Sequence, residues 1–414
     1  MIRTKKTFTA IIFTFFSIIF NINAISFFSG YAGGKLNYAA NNTASSSGEY
    51  DPDLTLDAFF QGQFNFNEHV WSHVEFSIDT GDILNDTIFK GTDSSFKIDE
   101  LSVIMNSQIE SCSNYFSIYM GTFDPIGSDV FLQRYFGVQP LASKLTESWL
   151  GLSGSILYPH FGVGIADIIR FYKAPIVAGA YIYVNHEDDK YYVINTDFRF
   201  ACMFRFFTID FAAGIGAPAI TNDADYSIAF SELYWHAGTT ILIGNNLTNS
   251  LFIQAGLSNA PFNPKKNTLN FSSDNIYLLL EPRIKIKNGH IHVSLYSFPK
   301  STANQLLFVD GTLGVNVNIF SDPVLIGSEN MYAGGYISAS LNDYNIYKIF
   351  KGERGITSEG FFNNISANLS ITPYISTSFL SGRLHTQVKI EFTKLISPQW
   401  YSAFSADVGY TTKF

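Results

Sequence analysis

Few residues of this chain are placed to do covalent chemistry. His186, Glu187, Asp188 and Asp189 are consecutive. A carboxylate next to an imidazole can orient it to activate water, and clustered oxygens can hold a divalent cation, but a solvated turn has the same composition. His290, His292, Ser294 and His385 supply the groups of a hydrolase acting on lipids, yet the alternation described below turns the three histidines to the charged face. Cys112 and Cys202 have no histidine or second cysteine at ligand spacing, so no metal site is expected. A bridge between them needs Cα atoms within about 7 Å, which spacing leaves open. No catalytic residue and no cofactor are expected. What remains is charge arranged in two series, the kind of chemistry that sets ion preference in a pore. Asp124, Asp129, Arg134, Lys144 and Glu147 lie in one long connection. Glu75, Asp79, Glu100, Asp197, Arg199, Asp210, Glu281, Arg283, Lys285, Lys389 and Glu391 lie in strand-like segments.

The second series falls on one side of its strands. Asn195, Asp197 and Arg199 alternate with Ile194, Phe198 and Phe200; Glu281, Arg283 and Lys285 alternate with Leu280, Ile284 and Ile286; His385, Gln387, Lys389 and Glu391 alternate with Val388, Ile390 and Phe392. Successive side chains of a strand point to opposite faces, so each segment has one apolar and one charged face. Charges crowded on the concave side of a closed sheet would make a poor core in water. In a membrane the arrangement is favourable, with the apolar face in lipid and the charged face lining water. A Lys or Arg on the lipid face would cost roughly 2–4 kcal/mol at mid-depth.

Segments of this kind are expected at 27–40, 54–65, 69–79, 96–107, 114–122, 161–171, 175–184, 191–201, 206–216, 228–242, 250–258, 274–286, 290–298, 309–320, 328–340, 364–375, 383–394 and 400–414. Alternate connections are short, as at 66–68, 108–113, 172–174, 202–205 and 287–289, and those between them long and polar, as at 41–53, 80–95, 217–227, 259–273 and 341–363. The expected fold is all-β, a transmembrane antiparallel barrel of about 16–18 strands, with short turns on one rim and long loops on the other. Such a barrel is too wide for its own side chains to fill and leaves an aqueous lumen. The longest connection, 124–160, carries Phe131, Tyr135, Phe136 and Trp149 among its charges. It either folds into the lumen, or 149–157 adds a strand and changes the count.

Composition agrees. Only 15% of the 414 residues are Asp, Glu, Lys or Arg, against about 25% in typical soluble domains. Aromatics reach 16%, with 40 Phe and 23 Tyr, while mean hydropathy is only +0.10, as expected where every second residue faces water. The net charge of −9 argues against nucleic acid as a partner. Residues 1–24, with Arg3, Lys5 and Lys6 before the apolar run 10–20 and Ala24 as a small residue for cleavage, fit an export signal, and 25–414 would form the barrel.

The closing stretch alternates Phe404, Ala406, Val408, Tyr410 and Phe414 with Ser405, Asp407, Gly409, Thr411 and Lys413. It resembles the last strand of bacterial outer-membrane β-barrels, whose terminal Phe and preceding aromatic are read by the barrel-assembly machinery. Tyr410 and Phe414 match; Thr412 stands where a bulkier apolar residue is usual. Residues 96–103 followed by 119–127 resemble the hairpin of general porins that precedes an inward-folded constriction loop, and 124–160 resembles that loop in position and length. The resemblance implies a Gram-negative cell outer membrane, contact with its lipids and the assembly machinery, and possible homotrimers. It also implies a porin-like channel for passive diffusion of small hydrophilic solutes or ions, without enzymatic activity. The mixed signs of the wall charges point to weak selectivity. Two other readings stay open: a plugged transporter of hydrophobic solutes resembling the fatty-acid channel family, and a surface adhesin or structural barrel.

Overall fold

The computed structural model describes residues 27–40, 52–84, 94–138, 141–147, 157–158, 161–187, 191–222, 225–228, 233–263, 268–269, 272, 275–303, 306, 308–326, 329–342, 344–350, 367–396 and 400–414. The export-signal expectation for 1–24, Asp188, Asp189 and Trp149 lie outside the described residues.

Eighteen strands form the wall. They are β1 Phe27–Ala39, β2 Asp53–Asn65, β3 Val70–Asp82, β4 Ser95–Ile109, β5 Cys112–Thr122 and β6 Phe161–Phe171. Next come β7 Ile176–Glu187, β8 Tyr191–Phe204, β9 Phe207–Asn222, β10 Leu233–Gly244, β11 Ser250–Asn263 and β12 Ile276–Ile286. The circuit is completed by β13 Gly289–Ser297, β14 Leu313–Ser321, β15 Glu329–Leu341, β16 Ala367–Phe379, β17 Gly382–Glu391 and β18 Phe404–Lys413. Each pairs antiparallel with the next, and β1 pairs with β18 from Tyr31↔Lys413 to Ala39↔Ser405, closing the sheet. Paired backbone bonds between Gly30 and Phe414, at 3.0 and 3.1 Å, finish the seam. Closure satisfies every strand edge, which is what allows a sheet to sit in hydrocarbon. Since β5 pairs directly with β6, no wall strand is inserted between them.

The faces divide as the alternation requires. Phe28, Leu36, Val163, Ile165, Ile182, Phe198, Ile284, Leu295, Ile337 and Val408 are exposed on the outside, while Glu100, Arg199, His236, Glu281 and Asn316 are buried inside. Exposed aromatics form two girdles. Phe171, Tyr172, Phe204, Phe206, Phe379 and Phe414 lie at the short-turn rim; Phe96, Phe161, Tyr192, Trp235 and Trp400 lie at the long-loop rim. Ten residues separate Phe161 from Phe171 on β6. At about 3.3 Å per residue and a tilt near 40°, the girdles stand ~25 Å apart, the height of an outer-membrane apolar band. Among the described residues no helix is long and apolar enough to cross a membrane. Eighteen closed strands with this exterior make a transmembrane barrel of the outer-membrane class.

Cys112 opens β5 and Cys202 lies in β8; both are free and near the short-turn rim. Two strands stand between theirs, and at ~4.8 Å per strand the separation is about 14 Å, too far for a bridge.

Candidate functional site

The lumen is built around the connection that follows β5. Gly121 (φ 101°) and Asp124 (φ 45°) are in the left-handed region and turn the chain inward. A side chain on Gly121 would meet Asp99 O at 2.5 Å, in the register shift between β3 and β4, so glycine is required there. A short helix, α1 (Val130–Phe136), follows and ends at Gly137 (φ 67°). Its Phe131, Leu132 and Tyr135 are buried, as is Phe123 before it.

Charge fastens this segment to the wall. Arg134 donates through Nη2 to both oxygens of Glu100 on β4 (2.7 and 2.8 Å) and through Nη1 to Asp124 Oδ1 (2.7 Å). Tyr181 of β7 and Tyr135 donate to Asp124 Oδ2 at 3.1 and 3.3 Å. Arg199 of β8 pairs with Asp210 of β9 through Nε (2.8 Å) and Nη2 (2.5 Å), and its Nη1 donates to the Asp124 carbonyl. The same arginines lie over loop aromatics, Arg134 4.6 Å from the Phe123 ring and Arg199 4.1 Å from Phe131. Charges taken this far from water are tolerable only when each donor and acceptor has a partner, and here they do.

The segment then reaches the far wall. Gln254 of β11 donates to Gly127 O (2.5 Å) and accepts from Tyr277 (3.0 Å). Asp129 Oδ2 accepts from the backbone of Leu141 and Ala142, both at 2.6 Å, and burial pushes its carboxyl up to about 7 against those bonds. Arg283 of β12 donates to Leu141 O (2.9 Å) and to Glu281 (2.7 Å), while Ser143 and Ser294 both donate to Glu281. Tyr336 of β15 donates to Lys144 O (3.2 Å). On the return, Tyr158 bridges Ile126 and stacks on His236 of β10 (3.9 Å), whose Nε2 stands 2.7 Å from Asp197 Oδ1.

A second inward segment joins β13 to β14, and no charge or motif singles it out in the sequence. Phe298 stacks on Tyr277 and Tyr296 (4.5 and 4.8 Å), and Phe308 on Tyr336 (3.8 Å). Asp310 pairs with Lys389 of β17 and accepts from Ser370 of β16 (2.6 Å). Phe298, Phe308 and Val309 of this segment are buried.

The expected residues therefore divide by environment. Asp124, Asp129, Glu100, Asp197, Arg199, Asp210, Glu281 and Arg283 all point inward but are buried where loop meets wall. Glu75 is also buried, with His73 Nε2 3.7 Å away. Water reaches Lys144 and Glu147, whose side chains are 31% and 35% exposed and pair at 2.5 Å. Lys285 pairs with Asp322 at the short-turn rim, Asp79 is exposed near the opposite rim, and Glu391 pairs with Lys394 at 2.9 Å. Tyr410 donates to Phe379 O and Leu380 O, and Phe414 stacks outside the seam on Phe28 and Phe60. The candidate lipid-hydrolase groups lie inside the barrel and not on its lipid face: Ser294 donates to Glu281, His292 Nδ1 stands 3.5 Å from the same carboxylate, and His385 stacks on Tyr374.

Both inward segments crowd the β4–β15 side. The inner face of β2 keeps partial access to water at Asp57, Gln61 and Gln63, and Arg383, His385 and Lys389 of β17 do so opposite the buried Ser370, Thr372 and Ser376 of β16. A polar cavity of about 650 Å³ opens there at the long-loop mouth, lined by Asn37, Asp310, Gln387, Lys389, Glu391 and Asp407 among others.

No protein-family model matches the chain, and no curated protein matches it. Among solved structures the chain is similar to outer-membrane barrels. Wzi of Escherichia coli, described as a carbohydrate-binding β-barrel involved in group 1 capsule assembly, is 11% identical over 93% of this chain and 84% of its own, with TM-score 0.45. A mutant Rhodopseudomonas blastica porin is 13% identical over 94% of this chain and all of its own, with TM-score 0.41. OmpF of Salmonella typhi is 12% identical over 94% and 97%, with TM-score 0.38.

Proposed function

We propose that this barrel is a loop-constricted channel for passive diffusion of small hydrophilic solutes and ions across the outer membrane. The observation that carries the proposal is the clamping of residues 123–138 and 141–147 across a lumen too wide for wall side chains to fill, beside a polar strip that keeps access to water. The passage runs along β1–β3 and β16–β18, past the Lys35–Asp57 pair (2.9 Å) and the Lys389–Asp310 pair. Paired charges of both signs would leave selectivity weak, and Lys144 with Glu147 supplies the loop's water-accessible charge. In this reading residues 1–24 are removed on export, and Tyr410 and Phe414 present the seam strand to the assembly machinery.

The test is single-channel recording of refolded residues 25–414 in a planar bilayer, with reversed salt gradients. Stable nanosiemens-scale steps with a reversal potential near zero are expected. A folded, electrically silent barrel would reject the channel and favour a plugged transporter, for which the two inward segments would be the plug.

A further inference from the structure

Asp167 is on the wrong face for a residue of its charge. In β6 the inward positions are Gly162, Gly164, Ala166 and Ile168, with Ala166 and Ile168 fully buried. Asp167 alternates with them and is exposed, on the same face as Phe161, Val163, Ile165 and Phe171. Among the described strand residues it is the one carboxylate on the outer face between the aromatic girdles. It lies four residues from Phe171, so about 10 Å below the girdle once tilt is allowed for. A carboxylate at that depth against acyl chains is costly, and intramembrane charges as a rule meet protein or water instead.

The surroundings fit a protein partner. Asn114 of β5 donates through Nδ2 to Asp167 Oδ1 at 2.6 Å, and this pair remains exposed. Across the ladder Asp167 faces Ala180 of β7, with Ala178 on the same face, so small side chains leave a shallow notch beside the polar pair. Apolar Ile118, Ile165 and Ile182 surround it. The patch holds an amide donor and a carboxylate acceptor side by side, which makes it complementary to itself: under a two-fold axis each copy's Asn114 can donate to the other's Asp167. Closely approaching backbones and hydrogen bonds across the contact are what hold proteins together in lipid, where apolar burial gives no advantage over acyl chains.

We propose that the outer face of β5–β7 centred on Asn114 and Asp167 is the contact between two copies of this barrel in the membrane, related by a two-fold axis along the membrane normal. The contact takes the carboxylate out of lipid and completes its hydrogen bonding with a second amide.

The experiment is oxidative cross-linking in native outer membranes with both native cysteines replaced (C112S and C202S). One reporter, Ile169→Cys, sits in the patch; a control, Ile337→Cys, is equally outward on β15. A band of doubled mass from the patch reporter, at least ten-fold stronger than from the control, is expected. Adding N114L with D167L should reduce it at least ten-fold while the folded barrel keeps its heat-modifiable mobility. Should that double variant fail to fold, Ala180→Trp, which fills the notch and keeps both polar groups, should give the same loss. Equal or absent cross-linking at the two reporters would overturn the proposal. So would a three-copy mass, or an undiminished cross-link in the leucine variant.

Discussion

Arg134, on the short helix α1 inside the barrel, grips Glu100 of the wall through one nitrogen shared between both carboxylate oxygens, at 2.7 and 2.8 Å. Glu100 is fully buried, and Ser102 donates to its Oε1 at 2.6 Å. Removing either partner strands a charge in a buried site, a loss of about 3–5 kcal/mol. Arg134→Met is expected to undock α1 and the residues around it, raise single-channel conductance and make current steps noisier. Combining it with Glu100→Gln should restore part of the docking, and a double-mutant cycle on thermal unfolding in detergent would measure the coupling.

Deleting residues 129–144 removes α1 and the Leu141 and Ser143 contacts to Arg283 and Glu281 while leaving the eighteen wall strands intact. Conductance is expected to increase, and larger neutral solutes should enter proteoliposomes in a swelling assay. An unchanged conductance would show that this segment does not bound the passage.

Asp129 makes the docked loop sensitive to pH. Burial, the largest influence, raises its carboxyl from 3.8 to about 7, with the Ala142 and Leu141 amides and Arg283 acting against it and Glu147 with it. The docked state thus holds a proton that the undocked loop releases near its ordinary value. Its contribution is complete below about pH 4 and is lost as pH rises through 7, worth at most ~4 kcal/mol. Conductance should be lower at about pH 5 than at about pH 8. Asp129→Asn, whose single oxygen can still accept both amides, should hold the acid value throughout.

Phe414 joins the barrel seam twice, by backbone bonds to Gly30 and by ring stacking on Phe28 (5.2 Å) and Phe60 (5.6 Å). Each aromatic contact is worth about 0.5–1.5 kcal/mol beyond area burial. Removing Phe414 is expected to lower the amount of heat-modifiable barrel in the outer membrane and the unfolding temperature of what remains. Phe414→Tyr, which keeps ring and backbone, should assemble at the parental level.

The wall was legible in the sequence because its rules are local. Side-chain direction alternates along any strand, so Asp197, Arg199, Glu281 and Lys389 could be assigned to the inner face, and the short and long connections counted, without knowing which strands touch. The eighteen expected strands match those observed, with ends shifted by a few residues. The interior was not legible in the same way. That Asp124 and Asp129 are buried, that Arg283 holds Leu141 O from 142 residues away, and that Phe298, Phe308 and Val309 also turn inward, depend on how the connections pack across the lumen. Asp167 shows both limits together. Its parity alone places it outside, but only the assembled sheet shows it between two aromatic girdles and next to Asn114, 53 residues distant. Period-two patterning needs only the backbone of one strand; partners across a lumen or on a lipid face exist only after closure has brought distant strands to fixed positions.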